Sequence, residues 1–267
     1  MSKKAATLFL CMGIFLYACL LWADGPITIL DVYDNLGFQK GLKTDQGFSC
    51  LIRGTEKTIL FDTGKNGGIL MDNLEKLGIN PKQIDIVVVS HIHKDHLGGL
   101  SAFLKQNPQV TIYVPRSFLK KRDFTESISG FDPKVIAVTK SQSICRDVYS
   151  TGMMGTMLFE QSLVIRTEKG SVVLTGCANP GIIEIVNKSK EVAKGDTLFV
   201  MGGFHLLNQD QAQVEGIVKM FQDLGVHYVG PTHCTGDMPM KVFKEKYQGN
   251  FITMGVGKTV TLNELKN

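Results

Sequence analysis

Hydrophobic and polar positions along this chain mark out alternating strands and helices. Residues 27–32 read as a first strand, and 47–52 and 57–61 as two more joined by a glycine-containing turn. A helical pattern over 69–77 is stopped by Gly78-Ile79-Asn80-Pro81. The run Ile84-Asp85-Ile86-Val87-Val88-Val89 is rich in β-branched residues and predicts a buried strand. A helix from Leu100 to about Lys105 follows, then strands at 110–114 and 134–138. The second half repeats the style. Strands at 162–166 and 171–175 lead into a helix ending near Val192, and a strand at 197–201 follows. Val214, Ile217, Val218, Phe221 and Leu224 form one apolar face of the next helix. A short strand at 227–229, a last helix and a last strand close the chain. Stretches 125–132 and 141–156 read as long loops framing a pocket. This alternation implies a sheet core covered by helices, an α/β (α+β) architecture.

Several strands end in chemistry. The strand at 84–89 runs into Ser90-His91-Ile92-His93-Lys94-Asp95-His96-Leu97-Gly98-Gly99, which holds three of the chain's six histidines. If the backbone stays extended there, His91 and His93 face the same side, and Asp95 and His96 follow as the chain turns. Two small clusters, His91/His93 and Asp95/His96, can then serve neighbouring metal ions. Imidazole and carboxylate suit zinc, with iron or manganese as alternatives. Further strand ends carry Asp62-Thr63-Gly64, Gly176-Cys177-Ala178-Asn179-Pro180-Gly181, Gly202-Gly203-Phe204-His205 and His233-Cys234-Thr235-Gly236. Ligands at the ends of adjacent strands build one site at a rim, because strands are rigid and their ends are open.

Composition changes this picture little. At 267 residues, with 43% hydrophobic and 20% charged positions, the chain can bury a sizeable core. A net charge of +4 without a concentrated basic stripe gives no case for nucleic acid, so the expected partner is a small-molecule substrate. The N-terminus does change it. Met1-Ser2-Lys3-Lys4 precedes an apolar run over 5–23 and then Asp24-Gly25-Pro26, the layout of a secretory signal cleaved after Ala23. A lipidation site at Cys19 and a retained anchor tethering the chain to a membrane are competing readings. All three predict export, with the body over 24–267 periplasmic or membrane-attached and facing outward. Of the cysteines beyond the leader, Cys50 and Cys145 read as core thiols, whereas Cys177 and Cys234 lie among metal-site candidates.

The His91–His96 stretch resembles the His-x-His-x-Asp-His signature of the metallo-β-lactamase superfamily. With the later motifs in this order, the chain resembles the branch of dihydropterin-ribofuranosylaminobenzene phosphate synthases over almost everything after residue 27. The resemblance implies an αββα four-layer sandwich and one or two zinc ions. It also implies His91, His93, Asp95, His96, the position of Asn179, His205 and His233 as ligands. The branch carries histidine where this chain has Asn179, and a neutral amide oxygen is the weaker zinc ligand. Cys177 lies on the same side by strand period and can substitute as a thiolate. Asp62 is expected to orient a ligand histidine rather than bind metal, and His227 to be a plain strand residue.

The leading expectation is a metal-dependent hydrolase in which hydroxide from a metal-bound water attacks an ester, phosphoester or amide-type centre. Asp95 would bind metal and hold the nucleophile, and His205 or Thr235 would meet the substrate oxygen. One alternative is a pterin-type transferase, against which export argues. Another is a protein that binds metal or a small ligand without turnover, because Asn179 replaces a ligand histidine.

Overall fold

The computed structural model describes residues 25–266; the N-terminal segment read as a signal or anchor lies outside them. None of the helices among the described residues is long and apolar enough to cross a membrane.

Two mixed sheets face each other. The first is ordered β13(Thr259–Thr261), β1(Thr28–Tyr33), β2(Ser49–Arg53), β3(Ile59–Phe61), β4(Ile86–Val88), β5(Thr111–Pro115), β6(Lys134–Val138). The second is ordered β12(Tyr228–Thr232), β11(Thr197–Gly203), β10(Gly170–Thr175), β9(Leu163–Thr167), β8(Val148–Gly152), β7(Lys140–Cys145). Between them lies an interior layer that includes Ile29, Ile52, Phe61, Val88, Leu163, Val172 and Phe199. Cys50 is buried in this layer and Cys145 packs against it, as expected of core thiols.

Helices cover both outer faces. The helices α1(Gly67–Lys76), α2(Lys94–Leu97), α3(Leu100–Leu104) and α4(Arg122–Ser127) lie with the first sheet. From α1 and α3, Leu70, Leu74, Leu100 and Phe103 pack onto Leu60, Val87 and Ile112. The second sheet is covered by α5(Ile182–Ala193), α6(Gln211–Asp223) and α7(Asp237–Tyr247). In α5 the buried positions Ile182, Ile185, Val186 and Ser189 recur at helical spacing. The start of α6 is fixed by a capping box between Asp210 and Gln213. The structure is therefore the expected αββα sandwich.

The sequence differs from the structure in two connections. Most of the stretch 141–156, read as a loop, belongs to the β7–β8 edge hairpin, which spans 140–152. The loop read at 125–132 begins inside α4. Lys140–Cys145 escapes an alternation reading because nearly all of it is exposed or half-buried, as an edge strand can be.

Strand direction places the site. In each sheet one half is antiparallel, and the other (β3–β4–β5–β6 in the first, β10–β11–β12 in the second) is parallel. Parallel strands bring their C-terminal ends to one edge, where open α/β sheets present their binding residues. Here β3 leads into Asp62, β4 into His91, β10 into Cys177, β11 into His205 and β12 into His233. Gln161, between β8 and β9, ties the sheets together there by donating its side-chain nitrogen to the carbonyls of Val89 and Tyr113.

Candidate metal centre

The β4 strand ends at Val88, earlier than predicted, so His91 and His93 are not on a continuous strand. They meet nonetheless: His91 Nε2 lies 3.2 Å from His93 Nδ1. The single helical turn of α2 then carries Asp95 and His96. That turn packs closely because Gly99 has no side chain; a Cβ there would collide with the carbonyl of Thr63. From the second sheet, His233 Nε2 comes within 3.2 Å of His96 Nε2 and 3.4 Å of Asp95 Oδ2. Cys177 Sγ is 3.2 Å from the same His96 nitrogen.

Buried partners decide which nitrogens are free. Asp62, fully buried at the end of β3, accepts from Ser90 N at 2.6 Å and Ser90 Oγ at 2.7 Å. It also accepts from His96 Nδ1 at 2.7 Å, which leaves a lone pair on His96 Nε2. Having given its proton to Asp62, the Ser90 hydroxyl accepts from His91 Nδ1 at 3.0 Å, freeing His91 Nε2. His233 Nδ1 donates to Asn35 Oδ1 at 2.9 Å, which turns His233 Nε2 towards His96 and Asp95; against burial, the Asp95 hydrogen bond and nearby negative charges raise the His233 pKa. Burial pushes His91 down to about 3 and His96 down to about 4, and the charge of a neighbouring histidine adds to each, so both rings are neutral. Burial also pushes Asp62 up to about 8, against the pull of the nearby His91 ring and the Ser90 hydrogen bonds. For Asp95, burial acts upward but the His233 hydrogen bond and the nearby His96 and His233 rings hold it well below the carboxylate range.

His96 Nε2 and His233 Nε2 thus face each other at 3.2 Å, with a carboxylate and a sulfur alongside. These spacings are close to those of a tetrahedral site, whose donors stand about 3.3–3.6 Å apart. Among the described residues three groups have donor atoms all within 4.8 Å of one another: His91/His93/Asp95, Asp95/His96/Cys177/His233 and Cys177/His205/Cys234. Asp95 links the first two and Cys177 the last two. The residues present fit a metal.

The other expected ligands are placed as follows. The amide nitrogen of Asn179 donates to Glu160 Oε2 at 2.8 Å, leaving only its oxygen for a cation. His205 stands exposed beside the two thiols, and its hydrogen bond to Cys234 raises its pKa. Cys234 is lowered to about 5, first by the Cys177 hydrogen bond, against burial and with help from His205. His227 lies just outside β12, and no metal group includes it.

Sequence reasoning missed Glu160, Asn35 and Ser90. Glu160 is fully buried and charged, the acceptor for the whole turn after β10. Its Oε1 accepts from Thr175 Oγ1 and the amides of Gly176, Cys177 and Ala178, and its Oε2 from the amide of Asn179, at 2.9–3.1 Å. In the sequence it is a lone glutamate outside any motif, so nothing signalled it. Four residues here, Asp62, Ala178, His205 and His233, have φ between 51° and 59°. Side-chain residues hold that left-handed conformation at a cost on the order of 1–3 kcal/mol, typically at functional sites.

Comparison with known proteins agrees with this geometry. The chain is 27% identical to a 7,8-dihydropterin-6-methyl-4-(beta-D-ribofuranosyl)-aminobenzene-5'-phosphate synthase of Methanocaldococcus jannaschii, over 88% of this chain and 98% of that one. An uncharacterised protein of the same organism is 28% identical over 85% and 97% of the two chains. Among solved structures, a metal-dependent hydrolase of the beta-lactamase superfamily is 29% identical, with a TM-score of 0.75 over 88% of this chain and 98% of that one. A metallo-beta-lactamase fold protein from Bacillus subtilis shares the fold at 14% identity, with a TM-score of 0.65 over 88% of this chain and 100% of that one. The model of the metallo-beta-lactamase superfamily matches residues 42–238, and the chain belongs to that superfamily.

Proposed function

We propose that this protein is a metal-dependent hydrolase of an ester, phosphoester or amide-type substrate. The observation that carries the reading is the convergence of ring nitrogens at the rim: His91 Nε2 with His93 Nδ1, and His96 Nε2 with His233 Nε2, each pair 3.2 Å apart, with Asp95 and Cys177 among them. His91, His93 and Asp95 would hold one ion with a coordination position open, as catalytic sites keep it. Asp95, His96, Cys177 and His233 would hold a second in a closed set. We infer zinc as the native metal, because imidazole, carboxylate and thiolate donors together suit it better than iron or manganese. Such an ion supplies Lewis acidity and eases the deprotonation of water near neutral pH.

The chain's own residues do the rest. Asp62 keeps the His96 proton on Nδ1, and Asn35 does the same for His233. The carboxylate of Asp95, shared between the two groups, would bind metal and hold the nucleophilic water. Metal analysis of purified protein, with phosphodiesters, lactones, thioesters and β-lactams assayed with and without chelator, tests this reading. Hydrolysis abolished by chelator and restored by zinc is expected. Turnover indifferent to chelator, or a His93→Ala variant with unchanged metal content, would overturn it.

A second reading has its own support in the near full-length similarity to the pterin-related synthase. On that reading the same centre joins a dihydropterin to an aminobenzene ribofuranosyl phosphate, and the assay is release of the displaced group. The basic and apolar leader supports export, which would separate the chain from cytosolic pterins and favours the hydrolase. Fractionation of cells expressing the full chain tests export, and a product confined to the cytosol would overturn it.

A further inference from the structure

The third donor group differs in kind from the other two. Cys177, His205 and Cys234 follow the C-terminal ends of β10, β11 and β12, three adjacent parallel strands of one sheet. Both sulfurs and a ring nitrogen of His205 lie within 4.8 Å of one another, and both thiols are free. The backbone makes room for the sulfur. A Cβ on Gly203 would stand 2.6 Å from Cys234 Sγ and 3.2 Å from the ring of His233, so only glycine leaves that space open. The chemistry is also distinct: two sulfurs and one imidazole, with no carboxylate in the group, favour thiophilic ions over hard ones. Two cysteines with one histidine also occur as a three-ligand zinc set with a fourth position open. His205 itself is exposed to solvent.

We propose that Cys177, His205 and Cys234 form a separate site for a thiophilic divalent cation of the zinc class, with Cys177 bridging to the histidine–aspartate centre. His205 is then a ligand, as the sequence suggests, but of a sulfur-rich ion. The proposal shares Cys177 with the hydrolase reading and is otherwise independent of it.

The full chain, reduced and stripped of metal under anaerobic conditions, is titrated with Cd²⁺. Bound equivalents are measured by equilibrium dialysis, and thiolate-to-cadmium absorption in the ultraviolet is followed. Wild type is expected to bind one equivalent more than Cys234→Ser or His205→Ala. Cys234→Ser should also lose roughly half of the absorption, since Cys177 remains a ligand. His93→Ala should lose an equivalent without losing absorption, which separates failure of this site from failure of the other. A measurement on wild type alone avoids dependence on folded variants: Cd²⁺ should slow alkylation of Cys234 by iodoacetamide about tenfold or more, because a coordinated thiolate is a poor nucleophile. Equal equivalents and equal absorption in wild type and Cys234→Ser would overturn the proposal. So would unprotected Cys234, or recovery of a Cys177–Cys234 disulfide in place of bound cadmium.

Discussion

At the scale of single residues, the site depends on groups that need never touch a metal. Asp62 accepts from both Ser90 and His96, so one carboxylate sets the orientation of two ligand candidates. Asp62→Asn keeps the shape but offers an N–H₂ where His96 needs an acceptor. Metal affinity is expected to fall 10–100-fold, on the order seen when such outer partners are removed, as read by competition with a chromophoric chelator. Unchanged affinity would show that Asp62 serves folding alone. Asn179 poses the reverse case. Glu160 stands 2.8 Å behind its amide, much as Asp62 stands behind His96. A histidine at 179 would find an acceptor already in place for its Nδ1–H, freeing Nε2. Asn179→His is therefore expected to bind zinc about tenfold more tightly. A variant that folds but binds no better would show that this position lies off the His91/His93 cluster.

At the scale of elements, the turn after β10 shows how a loop is held without regular structure. Its successive amides at 176–179 all point to Glu160, a nest of N–H groups closed by a carboxylate of the protein itself. Glu160→Gln leaves one oxygen for donors that now use two, and at least two N–H groups lose their acceptor. A loss of roughly 3–5 kcal/mol follows from the cost of buried unpaired donors. For a chain of this size the melting temperature should drop by about 10 °C, measured by circular dichroism; a shift under a few degrees would contradict the nest. Glu160 also marks the limit of what the sequence could tell. The strand predicted at 84–89 forms as the shorter Ile86–Val88, and the helix with the stripe Val214–Val218–Phe221 forms where predicted, because both are written in local periodicity. The histidine motif and Asp62 were legible because they stand at strand ends in dense polar clusters. Glu160 and Asn35 were not, since each finds its partner only after a fold that joins residues 19 and 198 positions apart. The edge hairpin at 140–152 was illegible for a different reason: a half-exposed strand leaves little apolar alternation to read.

At the scale of the whole molecule, the two sheets are held in register at the rim by a small polar floor. Thr232, on β12 of the second sheet, donates to Asp34 Oδ2 at 2.7 Å, and Asp34 also accepts from the amide of Leu36. Beside it Asp31, on β1 of the first sheet, is fully buried, and neither of its oxygens has a hydrogen-bond partner. Burial is the largest influence on both carboxyls. It raises Asp31 well above the ordinary carboxylate value of 3.8, helped by the charge of Asp34. It raises Asp34 to about 6, against the pull of the Thr232 and Leu36 hydrogen bonds. A raised folded-state pKa means that the folded chain keeps a proton the unfolded chain has released. The folded state then binds more protons, and stability falls as pH rises. For Asp34 that window runs from about 4 to about 6, and the loss is on the order of 3 kcal/mol; for Asp31 the loss continues to higher pH. Asp31→Asn removes the ionisation without changing the size of the side chain. Its urea midpoint is expected to exceed that of wild type at pH 7, with the advantage shrinking as pH is lowered towards 4. Taking the difference between the two proteins cancels the titrating groups remote from the pair and leaves the contribution of Asp31 and its coupled neighbour Asp34. A difference that stays flat with pH, or a variant less stable at pH 7, would mean that Asp31 is held ionised by a partner and that the floor between the sheets is built on charge.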